Sequence, residues 1–157
     1  MRPVRVFLLI FLLLAALLPS AAAHAHVRAA DPDPAIVSAL RSERFYASPD
    51  QTALDAGEIA RIKQALRESE TPVYLVVTGD LGDARTSDRY LADVATSVGS
   101  TGVYGLLAGN HFAAGSLGQT GLSRGEAGRL AAEAASAHRG RPAEGLVSFV
   151  NAVGGAG

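Results

Sequence analysis

The chain reads as an α/β protein, an αβα sandwich on a mixed sheet of about four strands that includes one hairpin. Three observations predict this. Val73-Tyr74-Leu75-Val76-Val77-Thr78 is continuously apolar and β-branched, the composition of a strand covered on both faces, and such strands belong to sheets flanked by helices. Helical spacings alternate with strand-like runs from residue 34 onward. Gly109-Asn110 separates two apolar runs as a two-residue hairpin turn.

Asp33 is placed to cap a first helix that Pro34 opens, because the fixed φ of proline suits the first helical position; Ile36, Val37 and Leu40 give its apolar face. Phe45-Tyr46 is a short extended piece that Ser48-Pro49-Asp50 ends. Asp55 with Glu58 forms a capping box for a second helix striped by Ile59, Ile62 and Leu66 and stopped by Thr71-Pro72. The strand Val73 to Thr78 follows, and Gly79-Asp80-Leu81-Gly82-Asp83 is the loop at its carboxyl end. Thr86 or Ser87 is expected to cap a third helix carrying Tyr90, Leu91, Val94 and Val98, with Gly99 as terminator. Val103 to Ala108 is the next strand, His111 to Ala114 the return strand, and Leu117 to Gly121 a flexible loop. Ser123 and Glu126 form a second capping box, for a helix with Leu130, Ala134 and Ala137 that Gly140 closes. Pro142 opens a last helix with Leu146, Phe149, Val150 and Val153.

Four segments follow from this pass: residues 1 to 25 a signal peptide, 26 to 34 a spacer holding Asp31-Pro32-Asp33-Pro34, 35 to 153 the domain, and 154 to 157 a disordered glycine-rich end. The first segment has Arg2 and Arg5, an apolar run from Val6 to Leu18, and A-x-A frames ending at Ala23 and Ala25. That order predicts export, placing the domain in the cell envelope or outside the cell. The run before Pro19 is shorter than the ~20 residues of a membrane span, so an uncleaved N-terminal anchor is the lesser alternative. Between Asp93 and Arg124 the chain is uncharged but broken by Gly99, Gly102, Gly105, Gly109 and Gly115, the pattern of strands and turns rather than a lipid helix.

Without Arg2 and Arg5 the chain keeps 12 basic against 15 acidic side chains, which argues against nucleic acid as a partner. Cysteine is absent, so an exported domain would rest on packing alone, and no lipid can be attached through a thiol. Lys63 stands against 13 arginines, a pattern of coding bias rather than of function.

The order of these pieces resembles the TPM domain, the family of a thylakoid-lumen protein of photosystem repair and of a receptor modulator, with many exported bacterial members. The matching residues are Leu54, Ile59, Ile62 and Leu66 ahead of the strand Val73 to Thr78, then Tyr90-Leu91 leading into Val98-Gly99-Ser100-Thr101-Gly102-Val103. Leu106-Leu107-Ala108-Gly109-Asn110-His111-Phe112 and the final pair Ala131 to His138 and Glu144-Gly145-Leu146 with Val150 complete it, over about residues 35 to 153. The resemblance implies an αβα sandwich outside the cytoplasm that acts on protein assemblies, hence envelope proteins as partners. It also implies, for some members, weak phosphatase activity and divalent-metal binding. The chain departs from the family in two places. Its loop Gly118-Gln119-Thr120-Gly121 lacks the expected acidic residue, and its glycine tail leads to no membrane helix, so membrane contact is expected at most through the N-terminal segment.

Asp80 and Asp83 fall just past a buried strand, where open α/β sheets place ligands, and with Asp88 they are the candidate oxygen ligands for Ca²⁺ or Mg²⁺. The competing reading is that Asp suits turns and helix starts, where its side chain bonds nearby amides. Their spacing is not that of an EF-hand. There is no G-x-S-x-G elbow, and zinc spacings are absent; His111, after the hairpin turn, and His138, in a last helical turn, are expected to be structural. Cleavage after Ala23 would expose His24-Ala25-His26, a terminus able to bind Cu²⁺ through its amine, backbone nitrogens and the third-position imidazole. The glycines from Gly99 to Gly121 match no phosphate-binding motif. Two functions are expected from these residues: a non-enzymatic interaction or assembly domain, or alternatively a metal-dependent phosphatase-like hydrolase using Asp80 and Asp83.

Overall fold

The computed structural model describes residues 32 to 156; the export segment, the His24-Ala25-His26 terminus and most of the Pro/Asp spacer lie outside them. Among these residues five helices and four strands follow in order: α1 (Pro34–Glu43), β1 (Phe45–Ala47), α2 (Ala56–Glu68), β2 (Val73–Thr78), α3 (Ala84–Val98), β3 (Gly102–Ala108), β4 (His111–Leu117), α4 (Arg124–Ala137) and α5 (Pro142–Ala156). The sheet has the order β1-β2-β3-β4, with the first three strands parallel and β4 antiparallel to β3. This is the α/β architecture, with a four-stranded mixed sheet and one hairpin, that the sequence predicts.

Two apolar clusters cover the two faces. Ile62, Leu66, Leu75, Val77, Ala131, Leu146, Phe149 and Val153 join α2, α4 and α5 to one face. Ile36, Leu40, Leu91, Val94, Val98, Val76, Tyr104 and Leu106 join α1 and α3 to the other. The strands advance in one direction from β1 to β3 while α2 and α3 lie on opposite faces. The two crossovers therefore have opposite hands, one of them the uncommon left hand.

The helix ends follow the local chemistry of the sequence. Asp33 accepts a hydrogen bond from the amide of Ala35 with Pro34 as first helical residue, and Asp55 with Glu58 and Ser123 with Glu126 close two capping boxes. In the hairpin, Gly109 takes φ 57°, the left-handed value that a turn beginning with glycine requires and that a side chain would resist.

Four details correct the sequence expectations. Asp83, not Thr86 or Ser87, caps α3: its Oδ1 accepts from the Thr86 amide at 2.7 Å, and Ser87 is buried one turn in. The return strand runs on to Leu117 because its register with β3 continues to the pair Gly102↔Leu117. Ala127, Ala131 and Ala134 form the buried stripe of α4, Leu130 packing only at its margin. Gly154, Gly155 and Ala156 continue α5 rather than forming a loose end; Val153 is fully buried, and Gly154 sits so close to α2 that a Cβ there would lie 3.4 Å from the Ser69 hydroxyl.

Candidate functional site

Parallel strands β1, β2 and β3 end at one edge of the sheet, where three loops meet, the position at which open α/β sheets hold ligands. Asp50, from the β1 loop, hydrogen-bonds the Ser48 hydroxyl and lies beside Gly79, whose missing Cβ would fall 2.8 Å from its carboxylate. Gly109 of the hairpin lies against Asp80 in the same way, a Cβ there being 3.4 Å from the Asp80 Cα. Glycine at 79 and 109 thus lets the loops close on one another.

Within this edge the two predicted carboxylates serve the backbone. Asp80 Oδ1 accepts from the Gly82 amide at 2.8 Å, a turn that leaves Gly82 at φ 93°. The Thr86 amide bonded to Asp83 holds its carboxyl below the usual carboxylate range. Asp88 is apart from both, exposed on α3 and lining a different groove beside β4. Among the described residues no three His, Asp or Glu side chains come together as a metal-ligand set. Two carboxylates that each spend an oxygen on an amide fit poorly the six to eight oxygens that Ca²⁺ takes.

Next to the acidic loop the same edge opens into a cleft of about 500 Å³ between the hairpin turn and the α4–α5 turn. Ala53, Leu107, Phe112 and Leu146 form apolar walls; Asn110, His138 and the exposed Arg139 supply the polar groups. Phe112 meets Phe149 edge to face at 5.0 Å, which fixes the floor. His138, expected in the last turn of a helix, is instead the C-cap residue of α4. Its Nδ1 lies 3.4 Å from the Glu144 carboxylate without hydrogen-bonding geometry, and Arg141 takes the same carboxylate at 2.5 Å. Nε2 of His111 is buried and likewise without a hydrogen-bond partner among the described residues.

A second groove, of about 530 Å³, runs along β4 between α3 and α4. It escapes a reading that ends the return strand at Ala114. The signal was present: from His111 to Leu117 the chain carries no Lys, Arg, Asp, Glu or Pro.

No helix among the described residues is long and apolar enough to cross a membrane. No protein-family model, curated protein or solved structure matches the chain.

Proposed function

We propose that the protein is an extracytoplasmic, non-enzymatic interaction or assembly domain of TPM type, with its partners among envelope proteins. The observation that carries the reading is the cleft beside the hairpin: apolar walls formed by Leu107, Phe112 and Leu146, with Asn110, His138 and Arg139 as its polar lining and neither a carboxylate nor a hydroxyl side chain among its lining residues. A hydrolase needs a nucleophile, a base and a charge stabiliser aimed at a common atom. A cleft with apolar walls and a polar rim suits a side chain of another protein. The export reading rests on the succession of Arg2, Arg5, the apolar run and the A-x-A frames.

The test is a photo-crosslinking amino acid placed at Asn110 on the cleft rim and, as control, at Glu133 on the exposed surface of α4, in the full chain expressed in an exporting bacterium. The expected result is a discrete adduct with an envelope protein from position 110, none from position 133, and an intact mass beginning at His24 or His26. Ca²⁺- or Mg²⁺-dependent hydrolysis of a phosphate monoester that Asp80→Asn abolishes would overturn the reading in favour of the metal-dependent hydrolase.

A further inference from the structure

We infer that the chain self-associates through β4, two copies pairing antiparallel about a twofold axis at Ala114 so that one sheet runs through both. The inference is independent of the role proposed for the cleft.

Both ends of a sheet expose unpaired main-chain groups, and natural proteins blunt them with charge, proline, bulges, short length or a covering helix or loop; along β4 the two flanking helices leave an open groove. The β1 edge is three residues long. The β4 edge is seven residues long, in unbroken register with β3, and has no charged residue or proline. Opposite residues of an antiparallel pair alternate between those that exchange main-chain hydrogen bonds and those that do not, and a two-residue turn closes on a bonded pair, here Ala108↔His111. His111, Ala113, Gly115 and Leu117 therefore turn their amide groups toward β3, while Phe112, Ala114 and Ser116 turn theirs outward. Among the described residues no backbone group hydrogen-bonds these three on the open side.

The outward set is symmetric about Ala114. In an antiparallel pair of identical edges Ala114 meets Ala114 of the second copy and Phe112 meets Ser116 of the second copy, each pair exchanging both of its main-chain bonds. The flanks permit the approach. Ala92 and Ala95 of α3 and Gly128 and Ala132 of α4 line the groove with small residues, and the absence of a Cβ at Gly128 keeps a side chain from standing 3.6 Å from the Ala114 carbonyl.

Charge selects a second copy as the occupant. Asp88 lies early in α3, which starts from the carboxyl end of β2 and so toward the His111 end of the groove. Arg124 lies toward the other end, its Cγ 3.7 Å from where a Cβ of Gly115 would be. Both side chains are exposed, and neither forms an ion pair among the described residues. The twofold reverses the strand, bringing Asp88 of each copy to the end of the groove that holds Arg124 of the other.

The cysteine-free sequence allows a direct test on the full chain in the cells that produce it. Bonded antiparallel pairs place their Cα atoms about 5.5 Å apart, inside the range of about 4.4 to 6.8 Å that a disulfide spans. Ala114→Cys is expected to give a disulfide-linked dimer on mild oxidation, whereas Ser136→Cys, exposed elsewhere on α4, stays monomeric. In the Ala114→Cys background, Asp88→Arg is expected to lower the dimer fraction several-fold, and adding Arg124→Asp to restore it. A monomeric Ala114→Cys product, equal dimer at both positions, an adduct with a different protein in place of the dimer, or no recovery in the charge-swapped variant would each overturn the inference.

Discussion

Tyr74 and Tyr104 face each other in register on the parallel strands β2 and β3, their rings stacked with centroids 4.7 Å apart and planes inclined by 16°. Tyr104 is buried and donates its hydroxyl hydrogen to the Ser100 carbonyl at 2.7 Å, so the connection from α3 to β3 is tied to the centre of the sheet. Burial first, and Tyr74 second, push the Tyr104 hydroxyl up to about 12.

An unfolded tyrosine ionises near 10. The neutral hydroxyl of Tyr104 therefore contributes its full stabilisation below pH about 10 and loses it as pH rises toward about 12, by at most about 1.4 kcal/mol per pH unit. Tyr104→Phe is expected to cost about 1 to 3 kcal/mol at pH 7, because the Ser100 carbonyl loses its donor. The same variant should show a shallower alkaline decline, with Tyr90, raised by its own burial, supplying the remaining slope. Urea denaturation at pH 7, 10 and 11 measures both effects.

Gly102 stands where the Tyr74 ring passes. A Cβ at this position would lie 2.5 Å from Tyr74 Cε2 and 2.8 Å from the Pro72 carbonyl, and the carbonyl belongs to backbone that pairs with Val103. Gly102→Ala is expected to destabilise the fold by about 1 to 3 kcal/mol through overpacking. A calorimetric melting temperature equal to that of the wild type would contradict it.

Val76 is in the middle of β2 and 1% exposed, packed with the cluster of α1 and α3. Val76→Asp places an unpaired charge there at a cost of several kcal/mol, comparable with the ~5 to 15 kcal/mol total stability of a domain. The expected outcome is an unfolded chain by circular dichroism.

Asp80→Asn with Asp83→Asn keeps both turn-forming acceptors while removing their charge. The expected result is a modest fall in melting temperature and an unchanged response to Ca²⁺ and Mg²⁺ in calorimetric titration. Because the Asp83 carboxyl titrates below the ordinary carboxylate range, its share of stability is present above that range and disappears as pH falls through the lowered value. A saturable cation signal in the wild type that vanishes in the double variant would make the loop a metal site.

Local chemistry made most of the fold legible. Capping boxes such as Asp55 with Glu58 rest on residues three apart, and the doubly covered strand Val73 to Thr78 shows in its composition, so both can be read without tertiary knowledge. The misread positions are those that distant contacts decide. Gly154 and Gly155 are poor helix formers that remain helical because Val153 and α2 hold the turn. Ser116 and Leu117 belong to a strand only through pairing with Val103 and Gly102. The acidic loop was legible as a loop, but the division of labour among its carboxylates was not. Thr86 and Ser87 read as the caps of α3 in the sequence, whereas Asp83 takes that role because its carboxylate reaches the Thr86 amide and Ser87 is buried one turn into the helix.

The two apolar clusters lie on opposite faces of the sheet, and β2 sends Leu75 and Val77 to one and Val76 to the other. A single residue gained or lost inside β2 would deliver each side chain downstream to the wrong layer, exchanging partners on both sides at once. The span Gly118 to Leu122 has no such alternation to preserve. A change of length between β4 and α4 would therefore leave the facing of every strand intact, while β2 is held to its count by the sheet that it divides.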